Sequence, residues 1–228
     1  MFASARPFCR PPIRYSPFTT HHHVAMSLYQ RLFAYFLSTG DRQQHRIYGE
    51  FKRALFADLE GTVVEIGPGT GVNLPYYPRG IRWIGIEPNP HMHDYVREKA
   101  AAHGIDVELH ARSATETGLP DASADAVVST LVLCSVSDLD ATLAEIRRLL
   151  RPGGRFYFIE HVAAPEGTWL RRVQKGIKPL WRPLADGCHP DRETGAAIER
   201  AGFSEVRYRP FEVDVPIVSP HIVGTATA

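Results

Sequence analysis

The stretch Thr62–Asn73 (TVVEIGPGTGVN) constrains this chain more than any other. Thr62–Ile66 is a β-branched run without proline or glycine, which predicts a short, buried parallel strand. Gly67, Gly69 and Gly71 follow at alternate positions, and then the polar Asn73. With no Cβ atoms in the way, such a loop brings backbone into contact with a ligand, and its amides can bond the ligand's polar groups. An ordinary tight strand-to-helix turn is the plain alternative, so the rest of the chain has to decide.

A dinucleotide fold uses G-x-G-x-x-G. Here the third glycine comes one position early, and the acid Glu65 stands two residues before the first. A carboxylate in that place repels a pyrophosphate. The E-x-G-x-G-x-G pattern resembles the first motif of the class I S-adenosylmethionine (SAM) methyltransferases. That resemblance implies that Glu65 helps hold the cofactor's ammonium end. It also implies that Gly67, Pro68, Gly69, Thr70, Gly71 and Asn73 lie along its amino-acid and ribose portion.

At 228 residues the chain suits one domain, large enough to bury a proper core. A net charge of +1 gives no reason to expect a nucleic-acid partner. Cys9, Cys134 and Cys188 look too few and too scattered for a disulfide framework or a zinc site, and no metal is expected. A reducing, cytoplasmic setting is the default. No apolar run reaches the ~20 residues of a membrane span.

Residues 1–25 contain prolines and arginines but no acid and no helical or strand period. Three readings fit: a disordered tail, a mis-chosen start with Met26 as the true one, or a transit peptide. His21–His23 reads as a chance polar run. From Ser27 the apolar residues Leu28, Tyr29, Leu32, Phe33, Phe36 and Leu37 recur at helical spacing. After a break at Gly40, Ile47, Tyr48, Phe51, Leu55 and Leu59 do the same. Residues 26–60 are thus two amphipathic helices ahead of a domain at 61–228. They either pack on that domain, cap its active site, or rest on a membrane surface through residues 28–37.

Regular alternation follows. Arg82–Ile86 predicts a second strand ending at Glu87, an acid placed to accept hydrogen bonds from ribose hydroxyls, with Pro88 and Pro90 around the turn. Pro90 opens a helix to about His103. Asp106–His110 and Asp125–Leu131 are further strands, and Asp138–Leu150 a helix. Arg151–Gly154 stops that helix and turns into a fifth strand, Arg155–Ile159, which closes on Glu160 and His161. Trp169–Pro183 reads as a broken helix, Asp191–Ala201 as the last long helix, and Val206–Phe211 with Val218–Gly224 as an antiparallel pair. The fold expected is α/β and Rossmann-like: a seven-stranded, mostly parallel sheet with one antiparallel edge strand and helices on both faces. Ligands bind at the strands' C-terminal ends in such a sheet, where Glu65, Glu87, Ser113, Thr130 and Glu160 all fall. The class resemblance also places Ser113-Ala114 near the adenine, although the usual acid of that turn is missing, and Thr130-Leu131 beside the cofactor.

The segments L-V-L-C-S-V (Leu131–Val136), L-R-P-G-G-R (Leu150–Arg155) and F-I-E-H-V-A-A (Phe158–Ala164) look like the methyltransferase-like thiol S-methyltransferases. Trp169, Asp186-Gly187-Cys188, Arg192-Glu193 and Pro220-His221-Ile222 extend the likeness. It implies methyl transfer from SAM to a small alkyl thiol or sulfide. A neutral imidazole could take the thiol proton; His161 is the first choice, with His189 and His221 behind it, each weighed against a structural role. Cys134, Glu160 and Cys188 are expected to line the acceptor pocket, and Arg192 is either a surface charge or an anchor for an acidic substrate. A lipid-amine or quinone methyltransferase is the rival within the class, and a non-catalytic SAM-binding protein the rival outside it.

Overall fold

The computed structural model describes residues 20–228, with side chains from residue 28 onward. The expectations for residues 1–19 and for the His21–His23 side chains lie outside the described residues. Two helices lead the domain, α1 (Thr20–Thr39) and α2 (Asp41–Phe56), separated at Gly40 as the periodicity predicts. Helix α1 begins earlier than expected, at Thr20, within a stretch that shows no apolar period of its own.

Seven strands then form one sheet: β1 (Thr62–Ile66), β2 (Arg82–Ile86), β3 (Val107–His110), β4 (Ala124–Thr130), β5 (Leu150–His161), β6 (Glu205–Glu212) and β7 (Pro220–Thr227). Their order is β3-β2-β1-β4-β5-β7-β6. β1 to β5 are parallel, whereas β7 runs antiparallel to both β5 and β6. The reversed strand therefore lies one place in from the edge, which β6 forms. The chain leaves β1 in one direction to β3 and returns to β4 on its other side. That reversal opens a crevice at the C-terminal ends of β1 and β4.

Successive strand residues point to opposite faces, so each face gathers its own core. Val64, Val127, Phe156 and Phe158 pack against Leu143, Ile146 and Leu149 of α4 (Leu139–Leu149) and Ile198 of α6 (Thr194–Arg200). Val63, Trp83 and Val128 pack against Phe56 of α2 and Val96 and Ala100 of α3 (His93–His103). Each large apolar side chain buried this way contributes ~1.5–3 kcal/mol. Helix α4 starts where the Asp138 carboxylate accepts the Ala141 amide at 2.9 Å. Helix α3 stops at Gly104, whose φ of 65° is the left-handed cap.

Three segments depart from expectation. Arg151–Gly154 is not a turn before the fifth strand but part of it: Ala124 pairs with Leu150 and Ala126 with Arg155, so the residues between bulge out. Helix α5 (Trp169–Leu184) is unbroken, with Pro179 and Pro183 inside it. Helix α6 is shorter than the predicted Asp191–Ala201, because a turn closed by the Arg192 amide on the His189 carbonyl takes the first residues.

Candidate active site

A cavity of about 490 Å³ opens at the C-terminal ends of β1, β2, β4 and β5. Its floor is the glycine loop. Gly67 has a φ of 61°, and a Cβ there would sit 2.7 Å from the Val132 side chain, so only glycine lets this loop meet the loop after β4. Gly69, with a φ of 56°, donates its amide to Glu87 Oε2 at 3.0 Å. Gly71 is a correction: it does not line the cavity but lets α3 approach, a Cβ there lying 3.2 Å from the Val96 backbone.

Glu65 lies fully buried at the cavity's edge, with both oxygens engaged. Oε1 accepts from Asn73 Nδ2 at 2.8 Å, and Oε2 accepts from the Tyr77 hydroxyl at 2.8 Å and Trp83 Nε1 at 3.0 Å. Burial pushes its carboxyl up, against those donors and the nearby Lys52 ammonium. Asn73 Nδ2 also reaches Thr130 Oγ1 at 3.0 Å, which leaves Asn73 Oδ1 buried and unpaired among the described residues. Glu65 thus fixes the Asn73 side chain at the cavity's edge, and its own Oε1, with one donor, keeps room for another. Lys52 was not foreseen from sequence. It is fully buried behind Glu65, and burial lowers its ammonium to about 8.

Glu87 accepts the Asn89 amide on Oε1 at 2.9 Å as well as Gly69 on Oε2, and burial pushes its carboxyl up to about 7. Pro88, Ser113, Ala114 and Thr115 continue this wall. Phe33 and Leu37 of α1 and Gln44 of α2 also line the cavity. Asp41, at the start of α2, accepts from Thr70 Oγ1 at 2.8 Å and pairs with Lys99, whose Nζ also reaches the Thr70 carbonyl at 2.7 Å. The leading helices are therefore tied to the glycine loop itself.

The other end of the cavity is built from Leu131, Cys134, Ser135, His161, Asp186 and Cys188. His161 Nε2 lies 3.0 Å from Cys188 Sγ, and Trp181 Nε1 donates to the same sulfur at 3.3 Å. Cys134 Sγ stands within 4.8 Å of both donor atoms. The neighbouring Cys134, with His161 and Trp181, draws the Cys188 thiol well down, while closeness to Cys188 and burial push the Cys134 thiol up; its Sγ donates to the Leu131 carbonyl at 3.6 Å. The fold thus brings together cysteines that lie far apart in sequence.

Three backbone clamps set this end. Glu160, buried behind the cavity and not lining it, accepts Ser129 Oγ at 2.6 Å and the Val132 and Leu133 amides at 3.2 Å. Arg192 is neither a surface charge nor a substrate anchor; its Nη1 donates to the Leu133 and Val136 carbonyls at 2.7 and 2.8 Å. The His189 amide donates to the Cys134 carbonyl at 2.9 Å, joining the Cys188 turn to the Cys134 loop. That bond is backbone, and the His189 side chain does not line the cavity. Nor does His221, which is satisfied within the core: its Nε2 meets the Tyr48 hydroxyl at 2.9 Å and its Nδ1 the Ser219 carbonyl at 3.0 Å, and burial lowers it to about 4.

The residues fit SAM. A glycine floor, an unpaired buried carbonyl at Asn73 and a paired-up acid at Glu87 match an amino acid joined to a ribose, and the volume suits such a ligand. A family model described as "Methyltransferase domain" matches residues 64–158. A possible histamine N-methyltransferase of Thermotoga maritima shares the fold at a TM-score of 0.61 and 23% identity, over 86% of this chain and 97% of that one. Fold and site together define a class I SAM-dependent methyltransferase.

Two curated relatives narrow the class. Human thiol S-methyltransferase TMT1A is 39% identical over 188 residues, 77% of each chain, and rat thiol S-methyltransferase TMT1B is 37% identical over 207 residues, 85% of each. The chain belongs to their family.

Proposed function

We propose that this enzyme moves the SAM methyl to the sulfur of a small alkyl thiol or of sulfide. The observation that carries the reading is one continuous cavity, glycine-floored at one end and ringed by Cys134, His161 and Cys188 at the other. The family relatives act on thiols by name, which supports the same acceptor. When bound, SAM supplies a methyl on a positively charged sulfur. Methyl transfer to a thiolate neutralises charge, so the protein's share is position and exclusion of water. Asn73 and Glu87 hold the donor's two ends, Thr130 and Leu131 flank it, and Phe33, Leu37 and Gln44 shield it. Residues 26–60 then act as a cap on the domain at 61–228. Of the three histidines expected as bases, His161 lines the cavity, and its Nε2 is already engaged by Cys188.

The test is a turnover assay offering sulfide, an alkyl thiol, a lipid amine and a quinol, read as S-adenosylhomocysteine formed. Turnover with the sulfur acceptors is expected. Turnover confined to the amine or the quinol overturns the acceptor, and none with any acceptor favours a non-catalytic SAM binder.

We also infer that the enzyme touches membranes peripherally. No described helix is long and apolar enough to cross one. Leu28, Leu32, Tyr35 and Phe36 of α1 are exposed, as are Leu180 and Leu184 of α5, and the Tyr29 hydroxyl on the Pro183 carbonyl at 3.1 Å joins the two helices. Co-flotation with anionic vesicles, lost on Phe36→Glu, tests this; no flotation of the parent chain overturns it.

A further inference from the structure

We propose that Cys134, His161 and Cys188 form a Cys₂His site for zinc, with its fourth position open to the acceptor end of the cavity.

The donor atoms, two sulfurs and one imidazole nitrogen, all lie within 4.8 Å of one another, and all three residues are buried. Zinc binds thiolate at ~2.3 Å and imidazole at ~2.0–2.1 Å, so a tetrahedral ion keeps such donors about 3.5–4 Å apart. The His161–Cys188 separation of 3.0 Å needs to open by only ~0.5 Å to admit it. Two soft thiolates and an imidazole select zinc over magnesium or calcium, which prefer oxygen. Two thiolates also cancel the ion's charge, which a buried site requires.

Burial of His161 points the same way. It is more than nine-tenths buried, and its Nε2 meets one polar partner among the described residues, the Cys188 sulfur. A thiol is a weak partner for a ring this costly to bury, whereas a metal ion on Nε2 repays it. The supporting shell is already rigid. Glu160 fixes the Cys134 loop to the strand that carries His161, Arg192 grips that loop from the far side, and the His189 amide fastens the Cys188 turn to it. Trp181 Nε1 supplies the hydrogen bond to sulfur that steadies a thiolate ligand.

Three protein ligands and a vacant position are the arrangement of a catalytic rather than a structural zinc. Cys134, His161 and Cys188 all line the cavity that holds the glycine loop, so an ion on them would be reachable from it. The ion's role, which rests on the thiol acceptor proposed above, is to take that thiol as a thiolate. The thiol displaces the fourth-position water and gives its proton to solvent, and the sulfur, held beside the donor, attacks the methyl carbon as the donor's carbon–sulfur bond breaks. No oxidant or reductant takes part. His161 then acts as a ligand rather than as a base.

The experiment uses the full chain purified under reducing conditions without chelator. Elemental analysis is expected to find about one zinc per chain, and cobalt(II) exchange to give the intense thiolate charge-transfer band and the tetrahedral ligand-field bands. Cys188→Ser and Cys134→Ser are each expected to lower zinc affinity at least 10-fold, with SAM binding by calorimetry retained as the sign of an intact fold. No zinc in the parent chain, together with a featureless cobalt spectrum, overturns the site whatever the variants do. So does conversion of Cys134 and Cys188 to a disulfide at unchanged metal content. Zinc bound with no turnover of any sulfur acceptor leaves the site standing and overturns the thiol reading. Thiol turnover undiminished after chelation overturns the activating role.

Discussion

The Glu87 carboxylate accepts the Gly69 amide at 3.0 Å, so the acid after the second strand and the middle glycine of the loop form one wall of the cofactor cavity. Burial holds that acid's midpoint near 7. An ionised carboxylate accepts ribose hydroxyls more strongly than a neutral acid. S-adenosylhomocysteine affinity is therefore expected to rise between pH 6 and 8. In Glu87→Gln that component disappears, and affinity at pH 8 drops by about 10-fold, worth ~1.4 kcal/mol. Stability runs the opposite way. An acid whose folded midpoint is raised from 4.5 to about 7 keeps its proton longer in the folded chain. The ligand-free protein accordingly loses stability as pH climbs through that window, and the glutamine variant does not. Calorimetry at pH 6 and 8, and thermal melts from about pH 4.5 to 8, check the pair of signs.

Gly69 carries a second prediction. Its φ of 56° costs a valine ~1–2 kcal/mol, and the new Cβ would meet Leu37 Cδ2 at 3.2 Å, where α1 faces the loop. Gly69→Val is expected to melt a few degrees lower while keeping its circular dichroism, and to lose cofactor binding by more than 100-fold. The remaining side-chain atoms occupy the donor's place. Unchanged affinity would dismiss the cavity as the cofactor site.

Much of this wall is legible in the sequence because it is local. The run Thr62–Ile66, the glycines that follow it and the acid at the tip of the next strand need only strand alternation and turn chemistry to be placed. What escapes is set by partners far along the chain. Glu65 reads as a lone acid beside the glycines, yet Tyr77 and Trp83 take its second oxygen and Asn73 donates to its first. Arg192 reads equally as a surface charge or an anchor for an acidic substrate until the loop after β4 brings the Leu133 carbonyl within 2.7 Å. Cys134 and Cys188 are strangers in sequence, and the bonds from His189 and Arg192 to the Cys134 loop bring them together. His221 reads as a second-choice base within the Val218–Gly224 strand, but a tyrosine from α2 claims its ring. No periodicity carries such information.

Asp41 is the joint between the cap helices and the cofactor loop. It accepts from Thr70 and pairs with Lys99, which in turn holds the Thr70 carbonyl. Asp41→Asn removes the charge while keeping the shape, and leaves a half-buried ammonium with one neutral partner. The expected cost is ~1–3 kcal/mol. Because the bond closes α2 onto the loop, the loss should be local: amide exchange across residues 37–44 and 67–71 rises about 10-fold or more, while that of β4 and β5 is unchanged. Uniform acceleration over the whole sheet would mean that Asp41 serves global stability instead.

Glu145 makes the clearest acid-stability prediction. Its Oε1 accepts the Thr117 amide at 2.9 Å and the Thr117 hydroxyl at 2.6 Å, and its Oε2 accepts Arg148 Nε at 2.7 Å. It thus fastens the segment ahead of β4 to helix α4. The Arg148 guanidinium, with Thr117 adding to it, holds the carboxyl down at about 2 against an ordinary 4.5. A depressed folded midpoint means that the unfolded chain takes up its proton first as pH falls. The contribution is therefore complete above about 4.5 and fades toward 2. Arg148 is a third exposed, so solvent trims the gain to ~1–2 kcal/mol. Glu145→Gln should then melt ~2–8 °C below the parent at pH 7. The gap should narrow steadily below pH 4.5 and close near pH 2. A gap of constant size at every pH would assign the effect to the two Thr117 bonds rather than to the charge.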